Sequence, residues 1–183
     1  MVASSPLGFY GKVPDRGDFV RRRLPDEFVQ PWDEWIQSAV MTSQNRLGEQ
    51  WLDIYLTSPI WRFALSTGNC NDLFWTGVIM PSVDKAGRCF PLTIAASVPG
   101  VELPFFFFSG LDWFSKLEDL ALSTLDEAFD LDAFDLQLRE LPPPAIQSFE
   151  MSCPEGNCDG DNGRLVFHSN LKGLQTIQHA VFG

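Results

Sequence analysis

Catalysis and metal binding need a few residue types at close spacing, and this chain offers few places to look. Cys70, Cys89, Cys153 and Cys158 are its thiols. Only the last two are near neighbours, as C-x4-C, and no second Cys or His pair completes a tetrahedral zinc site. His168 and His179 fall on separate predicted elements. Ser82 and Asp84 are close in sequence, but a serine nucleophile needs a base and the first half of the chain holds no histidine. Asp159-Gly160-Asp161-Asn162-Gly163 resembles the start of a calcium loop. It has Gly163 where an oxygen ligand belongs, Arg164 where the invariant glycine belongs, and no closing glutamate. Neither glycine pattern for binding phosphate is present. The paired carboxylates Asp33/Glu34 and Asp126/Glu127 fall on helical stretches and read as solvated faces. These residues predict a protein that is not an enzyme and uses no metal or cofactor.

The remaining polar chemistry is recognition chemistry, concentrated in charged loops. Asp15-Arg16-Gly17-Asp18 follows Pro14, which sets φ for a turn that Gly17 can complete. It is either plain turn chemistry or a display of Arg16 and Asp18 on a loop between strand and helix. Arg21-Arg22-Arg23 is the only basic run. It reads as a solvated face near a helix start, or as a docking patch for a carboxylate-rich or phosphorylated segment, which Arg forks bind bidentately. Pro81 to Arg88 is a hairpin connection with Asp84 and Gly87 as turn residues and Lys85 and Arg88 at its tip. Arg16, Asp18, Arg21, Arg22, Asp84 and Arg88 are therefore the candidate partner-binding residues. A structural alternative stands beside this one, in which Arg62 and Arg88 pair with Asp18 or Asp84 inside the fold.

Composition narrows the partner. The 183 residues are 45% hydrophobic and 13% aromatic, with six Trp and sixteen Phe, enough for a thick core in one domain. Net charge is −11, unevenly spread: residues 1–100 carry ten acids and nine bases, residues 101–183 fourteen acids and four bases. Nucleic-acid binding needs a basic face and is not expected. No secretory signal opens the sequence, and the strongest apolar run, Phe105 to Phe108, is far short of the ~20 residues that cross a bilayer. A cytoplasmic protein without a transmembrane segment is the expectation, with reduced thiols.

The elements that must position these loops follow from periodicity. Leu7 to Val13 reads as a strand. Trp32, Trp35, Ile36, Ala39 and Val40 share one face and predict an amphipathic helix from Pro31 to about Arg46, with a shorter one from Glu49 to Leu56. Ile60–Ser66, Leu73–Met80 and Cys89–Val98 read as strands whose connections are too short for a crossover helix, hence an antiparallel meander. Helices are predicted from Leu111 to Phe129 and from Asp132 to Leu141, the second stopped by Pro142-Pro143-Pro144. Ala145–Met151 and Arg164–His168 read as strands on either side of a polar loop from Cys153 to Gly163. The order predicts an α+β fold with helices covering a central antiparallel sheet of about five or six strands. A single domain spans 1–183, with its core at about 7–141 and C-terminal strands and tail at 142–183.

Three dense cassettes give the chain a family likeness. They are Gly8-Phe9-Tyr10-Gly11-Lys12 with Arg16-Gly17-Asp18-Phe19, then Trp51-Leu52 with Trp61-Arg62-Phe63, then Pro81-Ser82-Val83-Asp84 with Gly87-Arg88 and Phe90-Pro91. In this order and spacing, with Trp32, Asp33 and Trp35 between them, the chain resembles the TagF family of type VI secretion-associated proteins. The likeness is strong from Gly8 to about Thr93 and weaker through the helices that follow. It departs near the C-terminus, where the family's Trp-rich end is missing. The resemblance implies a three-layer α/β/α, longin-like core. It also implies a non-enzymatic cytoplasmic accessory of a type VI secretion system, a post-translational repressor acting with the forkhead-associated scaffold Fha. The alternative is a structural or chaperone-like adaptor for secretion-system components or effectors, for which Trp32, Trp61 and Phe105 to Phe108 are potential exposed anchors.

Overall fold

A computed structural model describes residues 5–98, 110–142, 164–171 and 174–181. Strands β1 (Gly8–Gly11), β2 (Val20–Arg22), β3 (Trp61–Leu65), β4 (Phe74–Met80), β5 (Leu92–Val98), β6 (Arg164–Leu171) and β7 (Leu174–Val181) form one sheet in the order β2-β1-β5-β4-β3-β6-β7. Every adjacent pair is antiparallel. The α+β class and the β3-β4-β5 meander are as expected from sequence. The described strands number seven rather than five or six.

Alternation along the central strands explains the layers, because successive side chains point to opposite faces. Phe63, Leu65, Trp75, Ile79 and Ala95 form one core with Phe28, Val29, Trp32 and Ile36 of helix α1 (Asp26–Leu47). Ala64, Val78, Met80, Ile94 and Ala96 form the other with Trp113, Phe114, Leu117 and Ala121 of α3 (Leu111–Ser123) and Leu131, Phe134 and Leu138 of α4 (Leu131–Glu140). Helices thus cover both faces. The short α2 (Trp51–Leu56) follows α1 through one turn of 3-10 helix. Large rings dominate the α1 side: Trp32 stacks on Phe63 at 4.7 Å and donates its indole N–H to Thr93 Oγ1 at 2.9 Å. Each such fully buried side chain contributes roughly 1.5–3 kcal/mol. Close strand approach demands glycine at Gly77, where a Cβ would lie 1.9 Å from the Ile94 carbonyl oxygen.

Several element boundaries differ from the expectation. Helix α1 begins at Asp26, with Pro25 as N-cap, so Pro31 sits inside the helix rather than at its start. Burial of Phe28 and Val29 on the same stripe as Trp32 outweighs the backbone hydrogen bond that Pro31 cannot donate. The segment Val20–Arg22 is a short edge strand paired to β1, although two adjacent arginines gave no strand signal. Arg23 then turns the chain at φ 59°, with its Nε donating to the Leu7 carbonyl at 2.6 Å and its guanidinium paired to Asp135. Helix α3 ends at Ser123, short of Phe129. The last described strand is β7, which the sequence reading left out; β6 is longer than expected. The expected strand at Ala145–Met151, the loop from Cys153 to Gly163 and the Phe105 to Phe108 run lie outside the described residues. His168 and His179 lie on adjacent strands, in register with Arg62 and Val166 respectively.

Candidate partner-binding site

Antiparallel pairing of Tyr10 with Thr93 brings the chain leaving β1 and the chain entering β5 to one end of the sheet. The Pro14–Phe19 loop and the Pro81–Pro91 connection therefore meet. The Lys85 N–H donates to the Arg16 carbonyl at 2.9 Å, and Arg88 Nη2 donates to the Gly17 carbonyl at 2.6 Å. Two cassettes 70 residues apart in sequence become one structure.

Asp84 is the hub of that structure. Its side chain is 0% exposed, and Lys12 Nζ donates to Oδ2 at 2.7 Å from the strand side. Arg88 Nε donates to the same oxygen at 2.7 Å, while the Ala86 and Arg88 backbone N–H groups donate to Oδ1 at 2.9 Å each. Lys12, helped by these N–H donors and the Arg88 guanidinium, holds the carboxyl well below the usual carboxylate range despite the opposing effect of burial. Gly87, at φ 77°, closes the turn by donating to the Asp84 carbonyl at 2.8 Å.

An aromatic shelf adjoins the hub. Phe19, 47% exposed, stacks on Tyr10 at 5.5 Å and meets Phe90 edge-on at 4.7 Å, with Lys12 over its ring at 5.1 Å. Tyr10 Oη donates to Asp33 at 2.6 Å, tying the shelf to α1; burial foremost, and this bond, push the phenol well above its ordinary value. On the other side Tyr55 Oη donates to the Ser82 carbonyl at 2.9 Å and accepts from the Ser82 N–H at 3.1 Å. Helix α2 of the second cassette is thereby bonded to the third.

The six candidates divide by accessibility. Arg16 is exposed, 3.3 Å from Asp15, and Asp18 beside it is exposed as well. The Arg88 side chain is 62% exposed although its Nε is engaged. Asp84 is wholly internal, so it shapes the loop and offers no surface. Arg21 is spent locally, donating from Nε and Nη2 to the Leu24 carbonyl and pairing with Asp26 at 2.6 Å. Arg22 is exposed on the opposite face of β2, 3.9 Å from Asp132. Arg16, Asp18 and Arg88 are brought together; Arg21 and Arg22 are not part of that cluster.

Of the alternative pairings, Asp84 with Arg88 is formed and Arg62 is internal, but with a partner that sequence reasoning missed. Arg62 is buried and makes a bidentate pair with Glu118 of α3, at 2.6 and 2.9 Å, with its guanidinium 5.2 Å from the Phe114 ring centre. Two signals pointed that way. Lys12 stands between Gly11 and Val13 where a strand ends, and Glu118 falls within the apolar stripe Phe114, Leu117, Ala121. A charge at a core position implies a buried counter-charge.

Among the described residues, reactive side chains lack activating neighbours. The Ser82 hydroxyl is buried with no hydrogen-bond partner. Burial pushes the Cys70 thiol up to about 11 and raises Cys89 as well. Among the described residues no group of three or more His, Cys, Asp or Glu converges to hold a metal ion, and no helix is long and apolar enough to cross a membrane.

Fold and site together define a three-layer α+β domain with a charged, internally braced loop pair at one end of its sheet. Residues 8–141 match the TagF N-terminal domain, described as type VI secretion system-associated, and the chain belongs to that family. A solved structure with the same architecture is that of PA0076 from Pseudomonas aeruginosa PAO1. It is 37% identical, with a TM-score of 0.81 over 95% of this chain and 87% of that one. No curated protein matches the chain.

Proposed function

We propose that this protein is a non-enzymatic regulator of a type VI secretion system, a cytoplasmic post-translational repressor that binds a protein partner of the Fha scaffold type. Membership of a secretion-associated family carries the reading. The geometry is consistent with it: Asp84, Lys12 and the Arg88 Nε are used to rigidify the loop pair, leaving Arg16, Asp18, Phe19 and the outer edge of Arg88 at the surface. Rigid loops lose little entropy on binding, which suits recognition. Among the described residues, the Ser82 hydroxyl has no partner to activate it and burial raises the Cys70 and Cys89 thiols, which supports the non-enzymatic reading.

Co-purification from secretion-competent cells, with and without Fha, tests this reading. Fha is expected to be retained by the wild type and lost with Arg16→Ala/Arg88→Ala, and overproduction is expected to lower secretion. Hydrolysis of phosphoesters, nucleotides or peptides by the purified protein, abolished by a point substitution, would overturn it. The exposed apolar residues Leu56, Leu122 and Leu125 favour a second reading, an adaptor for effectors or baseplate subunits. Retention of those proteins independently of Fha would support it instead.

A further inference from the structure

A groove opens beside the loop pair, at the same end of the sheet. One wall is the last two turns of α3 and the residues after it, through Glu118, Asp119, Leu122 and Leu125; the other is the chain from Leu56 to Ile60. Met80 and Pro81, at the end of β4, form part of the floor, so the groove shares Pro81 with the Asp84 connection. Its volume is about 390 Å³, and it is partly open to solvent. Leu56, Leu122 and Leu125 stand 53%, 49% and 53% exposed around it. Three large aliphatic side chains left half in water about one concavity cost hydration free energy that a covering surface would recover.

Charge identifies the occupant. The lining includes two carboxylates and no cation; Glu118 is already neutralised by Arg62, whereas Asp119 is exposed. Asp126 and Glu127 follow directly after Leu125, both exposed, and the stretch from Leu111 to Pro142 holds nine acids against two bases. An anionic lipid surface or nucleic acid would be repelled. A second copy of the chain would bring like charge against like at this face. An apolar floor with an acidic rim fits an amphipathic segment with aliphatic or aromatic anchors on one side and Lys or Arg flanking them. Glu118 and Leu122 lie four residues apart on α3, about 6 Å along its axis at 1.5 Å per residue, the spacing of anchors one turn apart, and Leu125 lies just past the helix end.

We propose that this groove is a docking site for a basic amphipathic segment of a partner protein. The inference rests on the proposed function only in taking a protein as the ligand.

The test is a selection from a displayed library of random 16-residue peptides against the full chain, with Leu122→Ser/Leu125→Ser as the counter-target. Both leucines are exposed, so the variant is expected to melt with the wild type, and circular dichroism checks that it does. Enriched peptides are expected to carry apolar residues at i, i+3 or i+4 and i+7 flanked by Lys or Arg. Synthetic versions should lose at least tenfold in affinity on the double variant, and Asp119→Asn/Asp126→Asn should flatten the salt dependence of binding. Peptides without a basic bias, peptides indifferent to the leucine substitutions, or no enrichment overturn the proposal. So does dimerisation of the wild type abolished by Leu122→Ser, or binding to phosphatidylserine vesicles through the same residues. Because no scaffold protein is present, a failure here is distinct from failure of the Fha co-purification.

Discussion

Buried ion pairs at this site are asymmetric objects: removing one partner strands the other charge, whereas removing both can be nearly neutral. Arg62 and Glu118 form such a pair beneath α3. Arg62→Ala is expected to cost about 3–5 kcal/mol in urea unfolding, with much of that recovered in Arg62→Met/Glu118→Leu. Arg16→Ala, on an exposed side chain, should change stability by less than about 0.5 kcal/mol while still weakening partner binding. Asp84 makes a pH prediction. Its folded carboxyl titrates below that of an unfolded aspartate, about 3.9. The unfolded chain therefore binds the proton first, and the stabilisation from Asp84 is complete above that value and drains away as pH falls towards the folded one. Thermal unfolding followed between pH 5 and 2 should show a shallower loss for Asp84→Asn than for the wild type, from a lower starting point at pH 7. Equal slopes would mean that the Lys12 and Arg88 contacts do not govern its titration.

Helix α1 illustrates how tertiary packing overrides local preference. Pro31 lies in its interior, where residue 31 has no N–H to give the Glu27 carbonyl. Apolar burial of Phe28 and Val29 ahead of it and Trp32 and Ile36 behind it keeps both halves on one stripe. Pro31→Ala should restore the missing backbone bond and raise unfolding free energy by about 1 kcal/mol or more, read as a higher urea midpoint at unchanged slope. A lower midpoint would show that the proline ring is needed for packing beside Trp32 and Trp35. The short β2 edge works in the opposite sense. Its three residues and two arginines form a poor template for further strand pairing, a protection that edge strands require.

At the scale of the molecule, the family match ends at residue 141, yet β6 pairs along the whole of β3, from Trp61↔Ser169 to Leu65↔Leu165. The described members of both cores lie within the matched residues, so a chain ending at Pro142 is expected to keep its helical and strand circular dichroism. It would bare the outer backbone edge of β3, a five-residue template for another strand. Size-exclusion over a concentration series should show self-association of the truncated chain where the full chain shows none. A truncated chain that stays monomeric would mean that β3 needs no cover.

Much of this was legible in the residues themselves. Apolar strand-like runs and short connections placed the meander, period-3.6 runs placed α1, α3 and α4, and the three cassettes carried the family. These are local signals, carried by neighbouring residues along the chain. The loop cluster was legible only in part. Arg16, Asp18, Asp84 and Arg88 stood out as charges in turns, but nothing local said that Asp84 would be internal and Arg16 exposed. That distinction was set by Lys12, 72 positions from Asp84, and by the β1–β5 pairing that brings them together. The partner of Arg62 was likewise a helix 56 positions away. Sequence alone determined most of the strands and helices, β2 and β7 excepted, and which family they compose, because apolar patterning and cassette spacing are written along the chain. Tertiary structure alone decided which charges brace the fold and which stay at the surface, because an ion pair depends on distance in space and on the water excluded around it.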